Sequence, residues 1–251
     1  MTNTTYPKGW RLLLFADAKV GKTSLAETAP GPVLFLNAEG GTNWLARKTI
    51  PWNPLDGPPE GDIDDETVVV VDVFEWEMLE RVTRFLKSGK HPFISVVLDS
   101  ITELQKQAKR AVTDTGMKLQ DWGTLYDKMD PILRELRDLT QVPGSNVACV
   151  VLVALANRKD ERIVPDIQGS MARSLAGQVD TLGYLRPGAM SADGTVAREL
   201  VVDSRQGIDA GDRTKALRRT FNGVIPIVLD DETDTIEWNL TQLLRGLNDG
   251  F

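Results

Sequence analysis

Ala16-Asp17-Ala18-Lys19-Val20-Gly21-Lys22-Thr23 is the stretch on which the reading of this chain turns. It follows the apolar run Arg11 to Phe15 and precedes Ser24-Leu25-Ala26-Glu27, residues that favour a helix. Strand, tight loop, Gly-Lys-Thr and helix form the layout of a phosphate-binding P-loop. In such a loop the backbone N–H groups and the positive end of the following helix hold the phosphates. Lys22 would reach the β- and γ-phosphates as a point charge, and the Thr23 hydroxyl would coordinate Mg²⁺. Gly21 allows a close backbone approach that a Cβ would obstruct. Ala16 stands where the pattern has its first glycine, which is tolerated provided its φ is negative. The run from Ala16 through Ser24 is therefore expected to bind a nucleoside triphosphate.

The 251 residues suit one large α/β domain, 1–251, and 41% hydrophobic content argues against wholesale disorder. The one cysteine, Cys149, sits in an apolar run and has no partner for a disulfide or a metal cluster, which fits a reducing compartment. The one histidine, His91, precedes Pro92 and reads as a turn residue before a strand, which argues against zinc chemistry and a Ser-His-Asp triad. A net charge of −7 disfavours a globally basic nucleic-acid binder and a polybasic membrane anchor, but leaves room for a local basic strip. Met1 to Lys8 is polar, with no signal-peptide core, and no apolar run reaches membrane-spanning length. A cytoplasmic protein with no membrane partner is expected.

Strands and helices alternate along the chain. Val33 to Asn37, Val68 to Val71, Phe93 to Leu98 and Val147 to Leu155 read as buried strands. Glu75 to Leu86, Thr102 to Val112 and Trp122 to Leu139 read as helices, with Pro131 marking a kink or a new start in the last. Pro51 to Asp65 is a Pro/Gly/Asp-rich loop. Thr181 to Leu185 and Val196 to Asp203 look like shorter, hairpin-forming strands, and Ile236 to Leu247 is a closing amphipathic segment. Apolar strands separated by helices imply a mostly parallel sheet covered on both faces, with a C-terminal β-hairpin region.

Ser95-Val96-Val97-Leu98-Asp99-Ser100 places a carboxylate at the end of a buried strand downstream of the P-loop. Asp99 there would hold Mg²⁺ beside Thr23; the competing reading is a helix cap before Ile101. Glu39 lies just past the end of the second strand, at the edge where α/β proteins place ligands. It would either orient a water for attack on the γ-phosphate or stand as a solvated loop residue.

Together with the P-loop, Val33 to Gly41 (VLFLNAEGG), Ser95 to Leu104 (SVVLDSITEL), Leu119 to Tyr126 (LQDWGTLY) and Val150 to Asp160 (VVLVALANRKD) resemble the RecA-like fold. The likeness is greatest to the phage Sak-type single-strand-annealing ATPases and covers roughly Trp10 to Arg219. The resemblance implies ATP and Mg²⁺ as cofactors, a homo-oligomer in ring or filament form, and single-stranded DNA as partner, with a single-strand-binding protein as a further one. A phage-encoded chain would work in the host cytoplasm. By the same resemblance Glu39 activates the attacking water, and Asn157 falls where a polar residue senses the γ-phosphate. An ordinary strand-end asparagine is the alternative for Asn157.

Two basic groups are candidates for nucleic-acid contact. Lys106, Lys109 and Arg110 share a helix face by their i, i+3, i+4 spacing. Arg158, Lys159 and Arg162 sit after the sensor strand, diluted by Asp160 and Glu161. RecA-like proteins use loops in both regions to grip single-stranded DNA; solvated charged faces are the plainer reading. Trp122 would stack a base or belong to the core. Asp209 to Lys215 resembles the segment from which RecA-like subunits send a cation into the neighbour's ATP site. Arg213 is the first candidate there and Lys215 the second. Two other readings remain. One is a P-loop small-molecule or nucleotide kinase with a lid at Arg213 to Arg219. The other is a nucleotide-gated binding module with little turnover.

Overall fold

The computed structural model describes residues 6–113, 116–190, 196–205, 207–230 and 235–251; Met1 to Thr5 of the polar start lie outside the described residues. Leu12, Leu14 and Ala16 alternate with Leu13 and Phe15, and all five are fully buried. The strand they form, β1 (Trp10–Ala16), must therefore have apolar material on both faces. It leads into α1 (Lys22–Ala26), β2 (Val33–Asn37), a 3-10 turn (Thr42–Trp44), β3 (Lys48–Pro51), β4 (Thr67–Asp72) and α2 (Trp76–Lys87). Next come β5 (Ser95–Asp99), α3 (Ile101–Val112), α4 (Leu119–Asp138), β6 (Cys149–Lys159), β7 (Arg162–Pro165) and α5 (Ser170–Gln178). The chain closes with β8 (Thr181–Met190), β9 (Val196–Val201), β10 (Gly211–Asp212), α6 (Ala216–Thr220), β11 (Val224–Asp230), β12 (Thr235–Glu237) and α7 (Leu240–Asp249).

The sheet order is β12-β11-β9-β8-β1-β6-β5-β2-β4-β3, with β10 on β8 and β7 on β6. From β8 to β3 every neighbouring pair is parallel. The pairs β8–β9, β9–β11 and β11–β12 are antiparallel. The expected parallel sheet with a C-terminal hairpin region is what the chain forms. Its two faces carry separate cores. Leu13 and Phe15 pack with residues of α2, α3, α4 and α5, while Leu12, Leu14 and Ala16 pack with residues of α1, α6 and α7.

Two expectations are corrected. The helix expected from Trp122 begins at Leu119 and runs through Pro131 without a break. The carbonyl that loses its donor to that proline belongs to Asp127, which is exposed and open to solvent. The closing segment is not helical from Ile236, because Thr235–Glu237 pairs with β11 as β12. Helix α7 starts after Asn239, whose Oδ1 accepts the Gln242 N–H while Gln242 Oε1 accepts the Asn239 N–H, both at 2.9 Å. His91 lies in a bend before β5, as its sequence context suggests, and it is also a buried packing residue, stacked on Phe93 and bonded through Nε2 to the Leu86 carbonyl. Burial lowers its pKa.

The far end of β1 is tied to β8 by one carboxylate. Asp180 accepts from Arg11 Nε and Nη2 at 2.7 Å each and from the Arg11 backbone N–H at 3.1 Å. The side chains are only 15% and 12% exposed. Asp180→Ala leaves that guanidinium partly buried without its partner and should lower the unfolding free energy by about 3 kcal/mol. Urea denaturation measures it, and a loss within error of zero would show that solvent replaces the pair.

Candidate nucleotide-binding site

The parallel pairing brings three strand ends together. Ala16 is opposite Leu155 on β6, Asp99 is opposite Val153 on β6, and Asn37 is opposite Asp99. The loop after Ala16 therefore lies beside the carboxylate that ends β5. Ala16 itself is buried strand and has no positive φ, so its Cβ is accommodated. The left-handed positions of the loop are Lys19 at φ 64 and Gly21 at φ 100. Helix α1 is only five residues long. The phosphate-holding capacity therefore rests on the loop N–H groups, Lys22 and Thr23 more than on a long helix dipole.

Thr23 Oγ1 donates to Asp99 Oδ2 at 2.6 Å. The cap of α3 is Ser100, whose Oγ accepts the Glu103 N–H, so Asp99 is not the helix cap. Asp99 is 2% exposed, and its Oδ1 is buried without a hydrogen-bond partner. Burial pushes the carboxyl up to about 6, the Thr23 bond opposes this, and the Glu39 charge adds to it. Lys22 is also buried, and desolvation lowers its pKa against the attraction of Glu39, Asp99 and Asp17. Its Nζ donates to the carbonyls of Asp17 at 3.1 Å and Ala16 at 3.5 Å, long bonds that phosphate oxygens can replace.

Glu39 is exposed, close enough to Lys22 and Asp99 for its charge to act on both. The turn after it touches the phosphate loop, since a Cβ on Gly41 would stand 3.6 Å from Thr23 Oγ1. That turn is braced by Asn37, a residue the sequence reading left as strand. Asn37 Oδ1 accepts the Gly40 N–H at 2.8 Å, and its Nδ2 donates to Asp72 Oδ1 at 2.6 Å and Thr42 Oγ1 at 3.2 Å. The signal for this was an asparagine three residues before a glycine at a strand end.

The other candidates scatter. Asn157 is exposed on β6 and donates to Asp166 Oδ1 at 3.3 Å. Arg158, grouped by sequence with Lys159 and Arg162, instead faces the phosphate loop. Its Nη2 is 3.5 Å from Asp17 Oδ2, which also accepts from the Tyr184 hydroxyl at 3.3 Å. Arg162 pairs with Asp209 at 2.9 Å. These three residues do not make one free basic strip. On α3, Lys106 pairs with Glu103. Lys109 donates to Gln168 Oε1 at 2.8 Å and stands over the Trp122 ring. Arg110 is exposed, and neither it nor Lys159 has an ion-pair partner among the described residues.

Arg213 lies at the opposite end of the sheet from the loop. Its backbone N–H donates to the Asp180 carbonyl, and its Nη2 donates to the Gly177 carbonyl at 2.7 Å. Asp180 bonds Arg11 near the start of β1, about 16 Å from Ala16 at ordinary strand rise. Lys215 is the exposed residue preceding α6. The Arg213 to Arg219 stretch is mostly exposed and is anchored by fully buried Leu217 and by Arg218, whose backbone N–H donates to Asp212 and whose side chain pairs with Asp203.

One basic residue was missed altogether. Arg198 of β9 lies against the phosphate loop: a Cβ on Gly21 would come within 3.0 Å of its Cζ and 3.2 Å of its Nε and Nη1. No local pattern in the sequence announces it, because it arrives through the β8–β9 pairing.

The donor set fits Mg²⁺. One hydroxyl and one buried carboxylate with an orphaned oxygen suit a hard cation completed by water and phosphate oxygens. No cluster of three or more His, Cys, Asp or Glu that would form a closed protein cage exists among the described residues. A phosphate loop, a metal carboxylate one strand removed and a mostly parallel sheet define a P-loop NTPase of RecA-like architecture. The AAA domain family model matches residues 8–214, and the chain belongs to that family of ATPases.

Similar solved structures include an ATPase from the type III secretion system of pathogenic bacteria. It shares 11% identity at a TM-score of 0.47, over 82% of this chain and 58% of that one. This chain thus spans a little over half of that protein's length. Another is a KaiC-like protein from the hyperthermophilic archaeon Pyrococcus horikoshii, with 13% identity and a TM-score of 0.45, over 92% of this chain and 89% of that one. No curated protein matches. Among the described residues, no helix is long and apolar enough to cross a membrane.

The raised Asp99 carboxyl has a signed consequence. In the unfolded chain it titrates near 3.9, so the folded protein holds the proton more tightly. Its stabilising contribution is full below about pH 4 and lost as pH rises through about 6. Asp99→Asn, free of metal and nucleotide, should therefore be more stable than the wild type at neutral pH, by up to about 3 kcal/mol. Urea titrations across that pH window measure this. A variant less stable than the wild type at neutral pH would overturn the assignment of a desolvated, strained charge.

Proposed function

We propose that the chain is a Mg²⁺-dependent, oligomeric ATPase that binds single-stranded DNA, in the manner of the phage Sak-type annealing proteins. The observation that carries the ATPase part is the 2.6 Å Thr23–Asp99 contact, with one Asp99 oxygen left over and Lys22 and Glu39 around it. Lys22 exchanges its two carbonyl bonds for phosphate oxygens. Thr23 and Asp99 hold the metal, which when bound neutralises charge on the β- and γ-phosphates. Glu39 orients a water and accepts its proton as the water oxygen attacks the γ-phosphorus. The bond to the β-phosphate oxygen breaks, giving ADP and inorganic phosphate.

Assembly is supported by two exposed aromatics on the loops following β2 and β4. Trp44 is 91% and Phe74 76% exposed, and aromatic side chains are enriched where subunits meet. In such an assembly Arg213, remote from its own phosphate loop, would act on the neighbour's nucleotide. The DNA part rests on the resemblance and on the unpaired Arg110 and Lys159.

Phosphate release by the wild type should rise when single-stranded DNA is added. Glu39→Gln should keep ATP binding and lose hydrolysis by about 10²-fold or more. Near-normal turnover in that variant would return Glu39 to a solvated loop residue. Wild-type turnover indifferent to DNA, with no DNA binding at low salt, would remove the annealing role and leave a P-loop ATPase of other purpose.

A further inference from the structure

We infer that Arg198 is a nucleotide ligand of this site acting within its own chain, gripping the α- and β-phosphates from the flank opposite the metal. The inference rests on the ATPase reading above and adds a residue and a direction to it.

Strand order sets the direction. The metal carboxylate and Glu39 follow β5 and β2, which lie on one side of β1; β8 and β9 lie on the other. Hydrolysis needs metal and activated water at the γ-phosphate, so that end of the nucleotide points toward β5 and β2. The nucleoside end then points toward the β8–β9 hairpin, which supplies Arg198.

Pairing explains how the side chain arrives. β8 runs parallel to β1 with Tyr184 opposite Phe15, and Arg198 pairs with Pro187, three residues further along β8. The hairpin therefore overhangs the loop that follows Ala16. Strand alternation puts Arg198 on the face of Leu200, which packs in the same core cluster as Leu25 and Ala26 of α1. Arg186, on the other face, is committed to Glu199 at 2.8 Å. Arg198 is not committed: it is partly buried, and its side chain has neither a hydrogen bond nor an ion pair among the described residues.

Charge gives the reason. A guanidinium offers five N–H donors in a planar fork that matches phosphate oxygens. Here it rests against a loop whose own cation is Lys22, and it has no ion-pair partner among the described residues. A polyphosphate seated in the loop would supply both the missing charge and the missing acceptors.

The test is binding without hydrolysis. The Kd values of ADP, ATP and inorganic pyrophosphate are measured for the wild type, Arg198→Ala and Arg198→Lys, pyrophosphate by displacement of a fluorescent ADP analogue. Lys22→Ala serves as the reference for the loop itself. If Lys22→Ala binds nucleotide as the wild type does, the ATPase reading fails, whatever Arg198 does. With that reading intact, Arg198→Ala should weaken all three ligands by about ten-fold or more. The lysine variant should recover part of this, because it keeps the charge and loses the fork. The ligand-free melting temperature should not fall, since no partner is orphaned.

Unchanged ADP and pyrophosphate binding overturns the proposal. A loss confined to ATP would make Arg198 a γ-phosphate contact, and a loss confined to the nucleotides with pyrophosphate unaffected would make it a contact to the nucleoside; either overturns it. Tighter binding in Arg198→Ala would show that the guanidinium plugs the loop, and a fall in the ligand-free melting temperature that lysine does not restore would make it a packing residue. Both overturn it too.

Discussion

The parallel register of β1, β6, β5 and β2 ends Ala16, Asp99 and Asn37 at one edge of the sheet. From that constraint the site follows. A chain leaving Ala16 must turn, and the turn presents backbone N–H groups beside the Asp99 carboxylate. A chain leaving Asn37 turns in the same place, and the Asn37 side chain fixes that second turn through Gly40 and Asp72. The register is held by continuous apolar strands packed on both faces, so moving one strand by a residue would exchange its two sets of buried side chains. The chemistry sits on loops, and a rigid sheet sets their spacing.

Several groups at that edge are in electrostatic conflict as they stand. Asp99 is desolvated with one oxygen unbonded. Lys22 is desolvated and bonded only to carbonyls of its own loop. Arg198 brings a further cation that has no ion pair among the described residues. Each conflict costs stability in the empty protein, and a metal–polyphosphate complex would relieve all of them together: cation to Asp99, anion to Lys22 and, by the proposal above, Arg198. Opposed charges of this kind are what a binding site contains before its ligand arrives, and they distinguish this edge from the Arg11–Asp180 end, where charge is already balanced.

The sheet was legible in the sequence because buried parallel strands read as unbroken apolar runs, and Gly-Lys-Thr after the first of them located the loop. Asp99 and Glu39 were legible as strand-end carboxylates for the same reason. What escaped notice depends on pairing between distant segments. Arg198 reaches Gly21 through β8–β9 pairing, and Arg158 reaches Asp17 from a strand that sequence grouped with a basic loop. The length of α1 was also hidden, because Pro30-Gly31-Pro32 sets only an outer limit on the helix. The stretch Ile236 to Leu247 carried a helical pattern, yet its first residues pair as β12, since an available strand edge overrides local preference.

The distribution of cations bears on how an acidic chain with net charge −7 could meet a polyanion. Most of the basic residues singled out for nucleic acid are spoken for: Lys106 by Glu103, Lys109 by Gln168 and Trp122, Arg158 by Asp17, Arg162 by Asp209. Exposed pairs of this kind hold their partners weakly, by up to about 1 kcal/mol, so a phosphate chain can compete for them. Of the six cations singled out, the two with neither an ion pair nor a side-chain hydrogen bond among the described residues, Arg110 and Lys159, are too few by themselves to hold DNA against the overall charge. Repetition of the same few cations around an assembly is the arrangement that would overcome this, since contacts to successive phosphates then add along one strand. Nucleotide occupancy bears on the same balance, because the phosphate loop and the Arg158 end of the β6–β7 hairpin share Asp17. A ligand that draws Asp17 or Arg158 out of that pair would alter the charge presented at the hairpin, a physical point of contact between the phosphate loop and the proposed DNA surface.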